Sequence, residues 1–253
     1  MNLLRFSDGV VCCANLLDSE LLAWVAVEVG TCALIVADPP YGNVLREKWD
    51  RFEQETPMVT WMLEWVRAYS ELLAPQGAFY IWGGVGKPRM RPFYRLLAEA
   101  EHSTALTLAN HITWAKKRAY GVQNNYLFTR EELAYFCKGD PKRPRVFNIP
   151  LLDAVRPYAG YDAKYPAKSA YYRRTNVWSD VTEIFAGKVH VAQKAMRVCE
   201  IPIEVHTNPG ETVIDLFSGS GQTSIAARKL GRRFVAIESD PDTYRALVDR
   251  LSE

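Results

Sequence analysis

The segment Asp38-Pro39-Pro40-Tyr41 carries groups that could activate an amine attached to an aromatic ring. Such an amine is a poor nucleophile because its lone pair is delocalised into the ring. The Asp38 carboxylate and the Pro39 carbonyl could accept its two N–H hydrogens, aim the lone pair at a methyl donor and stabilise the developing positive charge. Pro39 and Pro40 would pre-place these acceptors, and Tyr41 offers a face on which a base could stack. A proline-rich turn with a surface aspartate is the alternative.

A second segment, Asp215–Gly221, reads Asp-Leu-Phe-Ser-Gly-Ser-Gly between a predicted strand and a predicted helix. Glycines in this position let the backbone approach a ligand closely. Glu238 ends the following predicted strand, where an acidic residue can bind ribose hydroxyls. A tight turn with a capping acid is the alternative. The dinucleotide pattern G-x-G-x-x-G fails because Ser224 occupies its third glycine position, and no Gly-Lys-Ser/Thr indicates a P-loop.

Alternating strands and helices must position both segments. The apolar run 34–37 predicts a buried strand that ends at Asp38, since proline cannot continue a central ladder. Thr56 and Pro57 predict an N-cap and first helical position, followed by apolar residues at helical spacing. These apolar residues are Met58, Trp61, Met62, Trp65, Tyr69, Leu72 and Leu73. The segment 75–77 predicts the end of that helix, and 78–82 the next strand, closed by Gly83 and Gly84.

The C-terminal part repeats the alternation, with predicted strands at 212–216 and 234–237, a helix at 222–230, and a final helix capped by 239–241 that ends near Leu251. This order predicts an α/β fold with a Rossmann-like, mostly parallel sheet. Ligands of such sheets bind beyond the carboxyl ends of the strands, where the strand order reverses. Two neighbouring strands carrying the two segments would place a donor site and an acceptor site side by side.

Residues 139–176 differ from the rest, since they hold five of the 14 prolines and show no clear period. They predict a small insertion, with 1–138 and 177–253 forming the main domain. The net charge of the chain is only +2, but 138–174 carries nine basic and three acidic residues, which suits a segment that faces phosphates. Solvated charges or a small local core are equally compatible with it. The candidates for phosphate contacts are Lys142, Arg143, Arg145, Arg173 and Arg174; the runs 87–91 and 116–118 could add to the same face.

Other classes of protein find little support in the sequence. The five cysteines form no C-x-x-C pair and the four histidines show no metal-ligand spacing, so we expect neither a disulfide framework nor a metal. No apolar stretch approaches ~18–20 residues and no signal peptide is visible, so we expect no membrane span and a cytoplasmic protein.

Taken together, the motifs resemble those of the amino-methyltransferases that modify DNA at adenine N6 or cytosine N4. The order resembles the circularly permuted β class, in which D-P-P-Y comes first, the target-recognition segment lies in the middle and F-x-G-x-G comes last. Further similar segments are Trp49-Asp50, Ile112–Lys116, Glu131–Leu133 and His190–Ala195. The last resembles H-P-x-Q-K-P, with Val191 and Ala195 in place of its prolines. Asn15 stands where these proteins often carry an acidic residue near the cofactor adenine.

The resemblance implies an S-adenosylmethionine-dependent methyltransferase fold and direct in-line transfer to a base flipped out of double-stranded DNA. It implies a catalytic role for Asp38, Pro39, Pro40 and Tyr41. It implies cofactor contacts for Phe217, Ser218, Gly219, Gly221 and Glu238, with Asp215, Gln193, Lys194 and Asn15 as weaker candidates.

Several alternatives remain open. Asp38 favours adenine, because cytosine enzymes of this kind more often carry serine there. An RNA or protein methyltransferase, for which Asn-Pro-Pro-Tyr is the commoner loop, and a catalytically silent DNA-binding subunit are the other interpretations. We further expect a prokaryotic or phage-encoded protein. A homodimer through the helix bearing Trp61 and Trp65, and a cognate restriction endonuclease as partner, are further expectations.

Overall fold

A computed structural model of the chain describes residues 1–42, 55–85, 90–121, 123–155, 171–184 and 193–253. Its helices are α1 Ser19–Val29, α2 Glu55–Ser70, α3 Met90–Ser103, α4 Met196–His206, α5 Gln222–Lys229 and α6 Pro241–Ser252. Its strands are β1 Asn2–Arg5, β2 Gly9–Cys13, β3 Cys32–Ala37, β4 Leu73–Gly83, β5 Leu106–Tyr120, β6 Phe128–Lys138, β7 Leu151–Val155, β8 Tyr171–Arg173, β9 Val177–Trp178, β10 Thr212–Asp215 and β11 Arg233–Glu238.

The main sheet has the order β1-β2-β11-β10-β3-β4-β6-β5-β9. The run from β2 to β4 is parallel throughout, whereas β1 joins it antiparallel at one side and β6 and β5 join it antiparallel at the other. The predicted α/β fold with a mostly parallel sheet is therefore confirmed. The chain order reverses between β10 and β3, which is the position where ligands of open sheets bind.

Helices cover both faces of this sheet. All six residues of β3 are buried, as expected of a central parallel strand with no wet face. One hydrophobic cluster joins the sheet to α1, α2 and α3, and a second joins its other face to α4, α5 and α6. Trp65 is fully buried in the first cluster. The apolar face of α2 that suggested a dimer is thus used largely inside the chain.

Two predicted boundaries in the first half were wrong. Helix α2 begins at Glu55, so Thr56 lies in its first turn and not at the N-cap; Pro57 is tolerated there because first-turn N–H groups lack helical partners anyway. Strand β4 begins at Leu73, and the segment 75–77 is a bulge inside it, marked by a register shift against β3. Gln76 adopts a positive φ of 62° at this bulge.

The predictions for the C-terminal part are confirmed. β10, α5, β11 and α6 follow in the expected order, and the Asp240 side chain caps α6 by accepting a hydrogen bond from the Thr243 amide at 2.8 Å. In the middle, β7 and β8 pair in a small separate sheet, while the division into 139–176 and the remainder stays a prediction. None of the helices in the described ranges is long and apolar enough to cross a membrane.

Candidate active site

The carboxyl ends of the parallel strands bring the two sequence motifs together. β10 and β3 are neighbours, and the Leu216 amide donates to the Val36 carbonyl at 3.0 Å. The loop after β3 therefore begins with Asp38 beside the glycine loop after β10. Asn15 follows β2 and Glu238 ends β11, at the same edge of the sheet. We name this edge the motif edge. The prediction that the two motifs lie side by side is confirmed.

Asp38 belongs to a compact cluster of polar side chains. Tyr41 Oη donates to Asp38 Oδ1 at 2.9 Å. Lys194 Nζ lies 2.9 Å from Asp38 Oδ2 and 2.9 Å from Glu131 Oε2, and it donates to Tyr41 Oη at 3.0 Å. Lys194 is almost completely buried, whereas 28% of the Asp38 side chain is accessible. Asp38 is thus held by two partners and still faces an opening.

Lys116 and Glu131 complete the cluster, and both come from the paired strands β5 and β6. Lys116 forms an ion pair with Glu131 Oε1, so Glu131 lies between two ammonium groups. Lys194 also lies 4.6 Å from the ring centre of Trp82, and Lys116 lies 4.8 Å from that of Trp114. Buried cations are stabilised by such ring faces in addition to their carboxylate partners.

The pKa values in this cluster follow from burial and from the neighbouring charges. Burial raises the pKa of the Asp38 carboxyl above its ordinary value; the Lys194 ammonium opposes this rise and the Glu131 carboxylate adds to it. Burial would also raise the pKa of Glu131, but Lys194 and Lys116 lower it to about 2. The pKa of Lys194 is raised despite its burial, because Asp38 and Glu131 favour the charged form. Lys194 is therefore charged, and its ammonium favours the ionised form of both Asp38 and Glu131.

The glycine loop leaves room for a ligand beside Glu238. Gly219 has φ +48°, and a Cβ there would meet no atom within 4 Å. Its amide donates to Glu238 Oε2 at 2.9 Å, and Glu238 Oε1 accepts from the Asp240 amide at 2.8 Å. Burial raises the pKa of Glu238. A carboxylate fixed beside an open glycine backbone suits a ligand with hydroxyl groups, as a ribose has.

Gly221 has a different reason to be glycine. Its φ is +79°, and a Cβ there would overlap Cδ1 of the fully buried Leu247 on α6. Gly221→Ala should lower the free energy of unfolding by roughly 2–4 kcal/mol, through overpacking and left-handed strain. Gly219→Ala should cost only about 1–2 kcal/mol, because strain alone opposes it, but its methyl group should weaken cofactor binding tenfold or more. Urea unfolding and calorimetric titration of both variants would check this. If Gly219→Ala binds the cofactor as tightly as the unchanged protein does, the cofactor does not occupy the space beside Gly219.

The other cofactor candidates flank the glycine loop. Phe217 packs edge-on against Trp61 and Trp65, with ring centres 5.9 Å and 5.3 Å apart. Ser218 donates from its amide to the Ile237 carbonyl at 3.0 Å, which ties the loop to β11. Asn15 Oδ1 accepts from the Leu17 amide at 2.9 Å, within the loop that follows β2. All three thus lie at the motif edge with Glu238.

Asp215 lies beneath the glycine loop and accepts a hydrogen bond from Ser224 Oγ at 3.0 Å. Burial raises the pKa of Asp215 to about 7, and the charges of Asp38 and Glu238 contribute to the rise while Ser224 opposes it. A raised carboxyl pKa means that the folded state is favoured while the group is protonated. That contribution is complete below the ordinary value of 3.8 and is lost as the pH rises through about 7.

We therefore expect Asp215→Asn to flatten the dependence of stability on pH in the absence of cofactor. Between pH 5 and 8 the unchanged protein should lose about 2–3 kcal/mol relative to the variant, because the asparagine oxygen still accepts from Ser224 without becoming charged. Urea midpoints at the two pH values measure the difference. Parallel pH curves for the two proteins would show that the Asp215 carboxyl keeps the same charge across this range.

Lys194 and Gln193 stand just before α4. The carbonyl of Lys194 accepts a hydrogen bond from Gln222 Nε2 at 2.9 Å, so the first residue of α5 fixes the backbone that carries Lys194. Sequence reasoning gave Lys194 a cofactor contact, and the structure places its ammonium among Asp38, Tyr41 and Glu131. Residues Trp49, Asp50, Lys87, Pro88, Arg89, His190, Val191 and Ala192 of the other quoted segments lie outside the described residues.

The structure does not bring three of the five basic candidates, Lys142, Arg143 and Arg145, to this site. The Arg145 amide donates to the Gln76 carbonyl at 2.9 Å, and its guanidinium pairs with Glu211, which precedes β10. Just beyond the end of β6, the backbone amides of Lys142 and Arg143 donate hydrogen bonds to the side chain and the carbonyl of Asp140. These three residues thus lie at the amino ends of the parallel strands, roughly 20 Å along β4 from the motif edge at ~3.3 Å per residue.

Arg173 is the last residue of β8, and Arg174 follows it. Arg174 pairs with Asp180 at 2.5 Å and only 5% of its side chain is accessible, whereas Arg173 is exposed. Of the five candidates, only Arg173 is exposed and is not among the residues at the amino ends of the parallel strands. Within the described ranges, no group of His, Cys, Asp or Glu side chains could hold a metal ion.

An open, mostly parallel sheet with a glycine loop and a D-P-P-Y loop at its topological switch point defines a Rossmann-like fold with a candidate ligand site at the motif edge. The family described as DNA methylase, with N6 and N4 amino groups as its targets, matches residues 32–249. The chain belongs to this N6/N4 DNA methylase family and is a DNA methyltransferase.

The chain is 26% identical over 241 residues to the type II methyltransferase M1.MboII of Moraxella bovis, covering 85% of this chain and 87% of that protein. Among solved structures, the cytosine-N4-specific PvuII DNA methyltransferase superposes with a TM-score of 0.72 at 18% identity, covering 96% and 86% of the two chains. The Thermus thermophilus protein TTHA0409, complexed with S-adenosyl-L-methionine, superposes with a TM-score of 0.64 at 20% identity, covering 96% and 92%.

Proposed function

We propose that this DNA methyltransferase transfers a methyl group from S-adenosyl-L-methionine to the N6 amino group of adenine in double-stranded DNA. One observation carries the proposal: the Asp38 carboxylate, held by Tyr41 and Lys194, lies at the end of β3, next to the glycine loop that ends β10. The carboxylate that accepts hydrogen bonds from the amine and the loop that faces the methyl donor in this proposal thus lie at the ends of neighbouring strands.

The cofactor fits the open side of the glycine loop. When bound, S-adenosyl-L-methionine supplies an electrophilic methyl group on a positively charged sulfur. The space above Gly219 admits the ligand close to the backbone, and the fixed carboxylate of Glu238 is suited to accept hydrogen bonds from ribose hydroxyls. We assign an aromatic contact with the cofactor to Phe217, and a place near the cofactor adenine to Asn15 in the loop after β2. Asp215 and Ser218 support the loop from below.

In the proposed reaction, the chain acts by holding the target nitrogen. Asp38 and the Pro39 carbonyl accept its two N–H hydrogens, so that the lone pair points toward the methyl group. The nitrogen becomes positively charged as it is methylated. Glu131 is paired with Lys116 and Lys194, so the Asp38 carboxylate is the negative charge that faces this nitrogen and stabilises it in a partly buried site. Transfer is direct and in line, and the Asp38 carboxylate accepts or passes on the proton that the nitrogen finally loses.

The choice of adenine rests on Asp38. The resemblance assigns aspartate at this position more often to adenine enzymes and serine to cytosine-N4 enzymes. Cytosine N4 is the second candidate, because its amine presents the same two hydrogens and PvuII DNA methyltransferase, which is cytosine-N4-specific, shares the fold. RNA and protein substrates rank lower.

The test is to incubate the purified protein with isotope-labelled S-adenosyl-L-methionine and unmethylated duplex DNA, then identify labelled nucleosides by mass spectrometry. We expect labelled N6-methyladenine. Labelled N4-methylcytosine would keep the mechanism and change the base. Cofactor binding without label in DNA would contradict the DNA substrate, and the same reaction repeated with RNA and with protein would then identify the acceptor.

The partners follow from this function. As the relatives include type II methyltransferases, we propose a restriction-modification role with a cognate endonuclease of the same target sequence, inside a bacterial cell where the DNA is accessible. We also propose a homodimer, with a monomer as the alternative. Sedimentation with and without a duplex distinguishes these two forms.

A further inference from the structure

The hairpin of β5 and β6 extends beyond the rest of the sheet at the motif edge. β4 ends at Gly83, which pairs with Glu132, but β5 and β6 continue to pair as far as Tyr120 and Phe128. We name the described residues 117–121 and 123–130 the hairpin tip. Its base carries Lys116 and Glu131 of the Asp38 cluster, so the tip stands directly beside the candidate active site.

The charge of the hairpin tip is entirely positive. Residues 117–130 contain Lys117, Arg118 and Arg130 and no aspartate or glutamate. Arg130 pairs with Glu132 at 2.8 Å and remains half exposed. The Glu183 carboxylate accepts hydrogen bonds from the backbone amides of Lys117 and Arg118 at 2.9 and 2.7 Å. It therefore anchors the strand through its backbone, while both side chains belong to exposed residues.

Aromatic and apolar side chains occupy the end of the same hairpin. Tyr126 is 92% exposed and Leu127 is 60% exposed. Tyr120 is 45% exposed and stands against Phe128, with ring centres 5.9 Å apart. Large apolar groups at such exposure contribute nothing to the core, and together with cations they have the composition of a surface that stacks on bases and binds phosphates.

We propose that the hairpin tip is the surface through which this chain binds duplex DNA next to the target base. Lys117 and Arg118 contact phosphates, and Tyr126 with Leu127 contacts the bases that flank the flipped nucleotide. The inference rests on the proposed function. Sequence analysis placed the main phosphate contacts at Lys142, Arg143, Arg145, Arg173 and Arg174, and gave 116–118 only as an addition to them. Of these, Lys142, Arg143 and Arg145 lie at the opposite edge of the sheet, roughly 20 Å along β4 from the motif edge at ~3.3 Å per residue, whereas the hairpin tip adjoins Lys116 and Glu131.

The experiment compares the full-length protein with the double variant Lys117→Ala/Arg118→Ala and with Tyr126→Ala. Affinity for a fluorescent duplex is measured by anisotropy across a salt series, in the presence of the demethylated cofactor product. The double variant should bind at least tenfold more weakly, and the slope of log affinity against log salt should fall by about 2, one for each lost phosphate contact. Tyr126→Ala should bind more weakly with an unchanged slope, because it removes an uncharged contact.

Two further double variants distinguish the hairpin tip from other charged surfaces of the protein. Arg5→Ala/Arg67→Ala removes the same formal charge from exposed parts of β1 and α2 and should leave affinity unchanged. Lys142→Ala/Arg143→Ala tests the rival edge. Loss of affinity in that variant, with the hairpin variant binding as tightly as the unchanged protein, would overturn the inference. A hairpin variant that converts a dimer to a monomer and keeps its DNA affinity would overturn it as well, since the tip would then bind a second copy.

The two proposals can fail separately. If the unchanged protein methylates DNA and the hairpin variants bind and methylate it equally well, only the hairpin assignment fails. If the unchanged protein binds cofactor but neither binds nor methylates DNA, the proposed function fails and the inference fails with it. Cofactor titration of every variant shows that each one is folded.

Discussion

Replacing Asp38 by alanine should reduce methyl transfer by about 10²–10³-fold while leaving cofactor affinity largely unchanged. The substitution removes the acceptor that orients the target amine and stabilises its developing charge, an effect of that size for a preorganised group. Lys194 keeps Glu131 as its partner at 2.9 Å, so the buried ammonium is not left alone. Single-turnover transfer to duplex DNA and calorimetric titration with S-adenosyl-L-methionine measure the two quantities.

The conservative change Asp38→Asn separates charge from shape. It keeps one oxygen acceptor but loses the negative charge, so its transfer rate should lie between those of the alanine variant and the unchanged protein. Asp242→Ala is the matched control, because this carboxylate is 85% accessible on α6, and it should be fully active. If Asp38→Ala transfers methyl groups at the normal rate, the reaction takes place away from Asp38. If the variant loses affinity for the cofactor, Asp38 contacts the cofactor and not the target amine.

The sequence was sufficient to predict the fold and the neighbourhood of the two motifs. Uninterrupted apolar strands such as β3, glycines at a strand–helix junction and the acid at Glu238 are local signals with one main structural solution. Their adjacency follows because parallel strands present their carboxyl ends at one edge. The family match then confirmed the class of protein.

The partners of Asp38 were harder to predict. Glu131 and Lys116 lie on strands paired through a register shift between Ala115 and Tyr120, which no sequence spacing encodes. Lys194 lies 156 positions from Asp38 in the chain, and its ammonium could equally have faced the cofactor. The resemblance marked the segments that hold all three residues but did not give their contacts.

The basic segment is the opposite case: its charge is evident in the sequence, but the position of its side chains in the fold is not. Residues 138–174 have a clear excess of positive charge, yet Arg145 and Arg174 pair with Glu211 and Asp180. Local charge predicts a potential but not the side of the sheet on which it lies. The hairpin tip has fewer cations, but lies at the edge that carries Asp38.

Lys194→Met should lower methyl transfer at neutral pH roughly tenfold or more and move the acid limb of the pH–rate profile to higher pH. Burial already raises the pKa of Asp38, and the Lys194 ammonium at 2.9 Å is the group that opposes this rise. Without it, Asp38 is protonated over a wider range and cannot accept the amine hydrogen. Activity should return in part as the pH is raised, and Lys194→Arg, which keeps the charge, should restore the acid limb toward its original position.

Glu131→Gln tests the same coupling with the opposite sign. The Glu131 carboxylate raises the pKa of Asp38, so its neutralisation should move the acid limb to lower pH, with Lys116 and Lys194 both left positive. Opposite shifts in the two variants would identify Lys194 and Glu131 as positioning residues that act through Asp38, since loss of structure alone moves no titration. If Lys194→Met instead weakens cofactor binding with an unchanged pH profile, its role is the cofactor contact that the sequence suggested, and the Asp38 carboxyl keeps its charge without help from this ammonium.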